Sequence, residues 1–158
     1  MKLVRLAAAA ALVAASAAVP LSSASAAELP APEIAWVGKH VVANGSEAYI
    51  QAKFRCYGGE TGTHLWASIK QGGEDPTAEG SGMKSDAWYD TNYQYANDPA
   101  GQTIDCDGHW HATRFTVKLV DGWQPLTGGP AWVQFCVFDS TGGFGYSYDW
   151  KTVKAPGA

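Results

Sequence analysis

Charge is scarce in this 158-residue chain: 11 Lys and Arg stand against 15 Asp and Glu, and the basic residues form no cluster. That balance argues against nucleic acid or an anionic membrane as a partner. Long apolar runs are missing as well. Beyond an Ala-rich segment from Leu6 to Val19, no stretch approaches the ~20 residues that a membrane span requires. No amphipathic helical pattern follows that segment, and neither an internal repeat nor a second domain is visible. No Ser sits in a Gly-x-Ser-x-Gly elbow, and no Asp is set in the dense Asp/Asn/Gly spacing of a dedicated calcium loop. Motifs therefore call for neither a hydrolase nor a calcium protein, and no cofactor is expected.

The first residues read as a leader. Lys2 and Arg5 make a basic start, the apolar run follows, and Ala24-Ser25-Ala26 has the small-x-small pattern of a signal-peptidase site. Residues 1–26 are expected to be removed, 27–33 to form a lead-in arm with Pro30 and Pro32, 34–154 to form one domain, and 155–158 to form a tail. The expectation is a secreted, extracellular protein with no membrane insertion in its mature form. Without Lys2 and Arg5 its net charge is about −6.

What the chain does have is strand patterning. In Ala48-Tyr49-Ile50-Gln51-Ala52-Lys53-Phe54-Arg55-Cys56 the apolar residues share one parity and the polar residues the other, as in a half-buried strand. A Gly-rich turn leads to Leu65, Ala67 and Ile69, which alternate with Trp66, Ser68 and Lys70. Ile34 to Val42 reads as an edge strand broken by Gly38, and Asn44-Gly45 as a tight turn. Gln102 to Cys106 reads as a short strand. His111 to Val120 follows, with Phe115, Val117 and Leu119 inward, then the most apolar and central strand, Ala131 to Asp139. Phe144 to Val153 closes the domain, and its stripe Phe144, Tyr146, Tyr148, Trp150 is expected in the core. Residues 72–85, with four Gly and one Pro, read as a surface loop. Seven or eight strands separated by turns predict an all-β, antiparallel sandwich.

Three Cys in an exported chain imply one disulfide and one thiol left over. Cys56 and Cys106 lie on the apolar parity of their strands, whereas Cys136 lies opposite Ala131, Val133, Phe135 and Val137. The predicted pair is Cys56 with Cys106, leaving Cys136 free or joined to another chain. Closing a loop of about 50 residues stabilises by roughly 4 kcal/mol in the chain-entropy model.

The run FRC (54–56), LWASIKQ (65–71), Cys106-Asp107-Gly108-His109-Trp110-His111 and AWVQFCVFD (131–139) resembles a group of small secreted actinobacterial proteins known only as a domain of unknown function. The similarity covers roughly residues 45 to 140. It implies an Ig-like β-sandwich with the Cys56–Cys106 disulfide, and it brings no activity. Cys56, Trp66 and Cys106 also look like the Cys…Trp…Cys of immunoglobulin domains, but Ile104 replaces the Tyr expected two residues before the second Cys.

Candidate sites come from a few residue types. On a strand, His109 and His111 would project from one face about 7 Å apart, a spacing that lets two imidazoles share a metal; a polar strand start beside a turn is the plainer reading. Asp105, Asp107, Asp121 and Asp139 near strand ends are weak calcium candidates. Cys136 in mid-strand reads as a buried thiol. The aromatics are the stronger lead. Trp66 and Trp132 lie on non-core parity, and Trp88, Tyr89, Tyr93 and Tyr95 fall in a polar stretch. Flat rings on a rigid sheet stack on sugars. The expected function is therefore non-enzymatic binding of a glycan or cell wall through Trp66, Trp88, Tyr93, Tyr95 and Trp132. The alternative is a protein-interaction module, either a secreted inhibitor or a homodimer.

Overall fold

The computed structural model describes residues 28–59, 64–94 and 103–154. The expected leader and tail, Tyr95 and the side chain of Tyr93 lie outside the described residues. Eight strands follow in order: β1 (Glu33–Val37), β2 (His40–Asn44), β3 (Glu47–Arg55), β4 (His64–Gln71), β5 (Ala87–Asp90), β6 (His111–Leu119), β7 (Gly129–Phe138) and β8 (Phe144–Lys154). The described helical structure is one 3-10 turn, Gly80–Gly82, and one α-helical turn, α1 (Thr91–Gln94). Residues 103–106, expected as a strand, have no regular structure.

The architecture corrects the sandwich expectation. The chain is all-β with one disulfide, but its strands close into a seven-stranded mixed barrel, β3-β2-β8-β7-β4-β5-β6 and back to β3. One pairing, β2 with β8, is parallel, with Val41 opposite Val153. The cause lies at β3. One of its edges pairs with β6 along eight residues. Its other edge is shared between β1, at residues 52–55, and β2, at residues 47–49. The register slips near Trp36. Gly38 then brings its N–H to the Gln51 carbonyl at 2.7 Å, where an added Cβ would lie 3.3 Å from that oxygen. Such irregularities bend a strand. Here they free the outer edge of β2 to take the C-terminal strand, so β2 is not an edge, and closure leaves no open edge around the ring.

Alternation fills the interior as it would in a sandwich. Val41, Ala48, Ile50, Ala52, Phe54, Leu65, Ala67, Ile69, Tyr89, Val117, Val133, Phe135, Val137 and Val153 form the core. The Tyr89 hydroxyl donates to the Gly45 carbonyl beside the β2–β3 turn, so this buried polar tip is satisfied. Cys56, just past β3, is bonded to Cys106. The bridge is flanked by two backbone hydrogen bonds, Gly108 N–H to Cys56 O at 2.9 Å and Gly59 N–H to Cys106 O at 3.1 Å.

Candidate functional site

The outer surface of β8, β7, β4 and β5 is one continuous face, and the register sets its layout. Trp150, Trp132, Lys70 and Trp88 lie side by side across the four strands; Tyr148, Gln134, Ser68 and Asp90 form the next row; Tyr146, Cys136 and Trp66 the next; Phe144, Phe138 and His64 the last. Each residue has the parity opposite to the core set of its strand.

The β8 edge of this face is open. Phe144, Tyr146, Tyr148 and Trp150 are 40–63 % exposed, which overturns their assignment to the core. The reason is that β8 turns its other parity inward: Gly145 packs on Pro32, and Val153 enters the barrel. The stripe runs about 20 Å at ~3.4 Å per residue. Its rings touch one another or a β7 ring, one pair stacked, two tilted and one edge-on. Phe138 to Phe144 is 5.8 Å between centroids, Phe144 to Tyr146 6.0 Å, Tyr146 to Tyr148 5.3 Å, and Trp132 to Trp150 5.5 Å. Elsewhere on the barrel Arg55 lies over Trp110 and Arg114 over Tyr49, while Trp36 and Trp110 are exposed singly.

Toward β5 the same face is roofed. The segment 72–85, a surface loop as expected, folds back over it. Lys70 Nζ donates to the Ala78 carbonyl at 2.9 Å, and Gln134 Nε2 to Glu79 Oε1 at 2.5 Å. The roof is itself braced by the Asp75–Lys84 bridge. Between roof and sheet lies a cleft of about 820 Å³, with the rings of Trp66, Trp88 and Trp123 among its walls and Ser68, Lys70, Asp90 and Gln134 among its polar groups. The indole N–H groups are anchored: Trp66 donates to Asp90 Oδ2 at 3.1 Å and Trp88 to Ser68 Oγ at 3.0 Å. Trp88 meets Trp123 edge-on at 5.6 Å. Lys70 is 3 % exposed, and burial pulls its ammonium below the ordinary lysine range, with Glu79, Asp90 and Asp75 opposing.

The expected site residues divide accordingly. Trp66 and Trp88 share the cleft. Trp132 is half-buried beside Trp150, with its indole nitrogen buried and unpartnered, so neither Trp66 nor Trp132 is an open platform. Tyr93 falls in α1, and Tyr89 belongs to the core. Cys136 is free and buried, with its sulfur 3.4 Å from Tyr148 Oη; burial raises the pKa of the thiol. His109 and His111 do not project side by side from a strand. His109 lies in the turn before β6, and both rings reach Asp107, at 3.2 Å and 2.8 Å. Hydrogen bonds from His111 and the His109 backbone lower the Asp107 pKa to about 2. His64 stacks on Phe138 at 4.3 Å. Asp139 is committed to its turn, accepting from Thr141 and Gly143. Among the described residues no three His, Cys, Asp or Glu are grouped to hold a metal.

Sequence reasoning did not single out Trp123, Lys70, Glu79 or Gln134. Lys70 and Gln134 share the parity of Trp66 and Trp132, and that signal marks them once β4 and β7 are known to be neighbours. No protein-family model matches this chain, and a search of curated proteins finds no match.

Proposed function

We infer that the protein is an exported, non-enzymatic binding domain that takes polysaccharide on the exposed aromatic stripe of β8. The observation that carries this reading is the exposed stripe Phe144, Tyr146, Tyr148, Trp150 on a closed barrel. Monomeric domains seldom leave so many large rings aligned in solvent without a partner. A pyranose presents C–H groups on its faces, and these pack on aromatic rings. A run of rings about 20 Å long suits an extended chain of such units. The backbone under the stripe is hydrogen-bonded to β7 along ten residue pairs, so the rings are held in place before a ligand arrives. The Cys56–Cys106 disulfide supports an oxidising compartment, in keeping with export. Among the described residues, no helix is long and apolar enough to cross a membrane.

The second reading is a protein partner, either another extracellular protein or a second copy of this chain. The same stripe favours it, because exposed aromatic residues are also the staple of protein interfaces. Sedimentation velocity and retention on insoluble chitin, cellulose and bacterial cell wall separate the two. A monomer that is retained on one matrix supports glycan binding. A dimer that dissociates in Tyr146→Ala, with no retention on any matrix, moves the function to a protein interface.

A further inference from the structure

One polar side chain in the wall of the roofed cleft has an atom left without a partner. Gln134 is 1 % exposed and lines the cleft. Its Nε2 donates to Glu79, yet its Oε1 is buried with no hydrogen-bond partner. Rotating the amide does not remove the vacancy, because the oxygen cannot donate to the Glu79 carboxylate. A buried acceptor without a donor is costly and calls for a ligand that supplies one. The walls add the rest of the specification. The rings of Trp66, Trp88 and Trp123 offer flat apolar surface, and the volume is that of a small-molecule site. The ionic groups are Lys70 against Glu79 and Asp90, one negative charge in excess, so the walls disfavour an anionic ligand.

We propose that this cleft is a second subsite, which takes the neutral end of a saccharide of one or two units, with a hydroxyl or acetamido N–H donating to Gln134 Oε1 and sugar C–H groups against the three indoles. The proposal rests on the glycan reading above and deepens it. The stripe on β8 would hold the length of a chain, and the cleft would select its terminus. Trp132 and Gln134, neighbours in the register of Trp150 and Tyr148, lie where the two regions meet.

The test is an NMR titration of the full chain with 15N-labelled indoles. Cellobiose serves as the hydroxyl probe and di-N-acetylchitobiose as the acetamido probe. The expected result is saturable shifts of the Trp66, Trp88 and Trp123 indole signals with one of them. Gln134→Leu is expected to weaken that binding about three- to tenfold. Because Gln134→Leu also removes the tie to Glu79, Trp123→Ala at the cleft wall is a second variant, expected to weaken binding about threefold or more. No shift of these three indoles with either sugar, or shifts that both variants leave unchanged, would overturn the proposal. The retention assay reports on the stripe separately. Retention lost in Tyr146→Ala beside a silent cleft overturns only the subsite. A silent cleft without retention overturns the glycan reading as well.

Discussion

Gln134 on β7 and Glu79 in the roof, both lining the cleft, are joined by a 2.5 Å hydrogen bond. With Lys70 Nζ on the Ala78 carbonyl, it fastens residues 72–85 to the outer sheet face. Glu79→Ala should therefore loosen the roof and leave the barrel intact. The expected cost is about 1 kcal/mol, the usual net worth of one such bond. Hydrogen exchange should quicken at residues 75–84 and stay unchanged in β3, β6 and β7. Equal acceleration throughout would mean that the roof is part of the barrel's cooperative unit.

The disulfide joins the end of β3 to the segment leading into β6, the two strands with the longest shared pairing on that side of the barrel. Cys56→Ser with Cys106→Ser removes a constraint on a loop 50 residues long. The expected loss is about 2–5 kcal/mol in urea denaturation. A loss under 1 kcal/mol would mean that strand pairing alone already restricts the unfolded chain there.

Cys136 is expected to resist iodoacetamide in the native protein and to react once urea exposes it. Burial raises its pKa, so the folded thiol holds its proton to higher pH than the unfolded one does. A group with a raised native pKa contributes its stability in full below the unfolded pKa. Stability should thus be level through neutral pH and fall as the pH climbs past the ordinary thiol range. Tyr148, raised by burial and by Cys136, extends the fall in the same direction. Cys136→Ala should flatten the first part of that alkaline limb in a melting series.

At the acid end the sign reverses. Asp107 is lowered to about 2 by His111 and His109. Its contribution is complete above the ordinary carboxylate pKa, about 3.9, and is lost as the pH falls from there toward about 2. Asp107→Asn should remove that portion of the acid sensitivity. A melting profile between pH 5 and pH 2 that matches the wild type would show that the pair is held as strongly in the unfolded chain.

Much of this molecule is legible in its alternation. Ala48 to Phe54, Leu65 to Ile69 and Ala131 to Val137 each show which side chains enter the core, and the same parity rule pairs Cys56 with Cys106 and leaves Cys136 outside. Strand pairing is not legible in that way. A barrel and a sandwich bury the same parity, and the difference rests on the register slip between Ile34 and Trp36 and the break at Gly38, after which β2 pairs with β8. The misplacement of the β8 stripe has a related cause. Phe144, Tyr146, Tyr148 and Trp150 are its most apolar residues, yet Gly145, Ser147, Asp149 and Lys151 have the inward parity, because β8 lies beside Pro32 and the Val37 carbonyl, to which Lys151 donates, rather than over the centre of the core. Trp123 reaches the cleft from a loop, where no period exists to mark it.

The most direct test of the account is retention of the full chain on insoluble chitin, cellulose and bacterial cell wall, compared with Tyr146→Ala, Trp150→Ala and their combination at equal protein concentration. These rings lie on the outer surface, so the variants should melt close to the wild type. The account predicts that each single variant weakens retention about threefold to tenfold, as expected when one stacked ring is worth roughly 0.5–1.5 kcal/mol, and that the double variant loses it. Retention that survives the double change would contradict the account, because the stripe would then not be the binding surface.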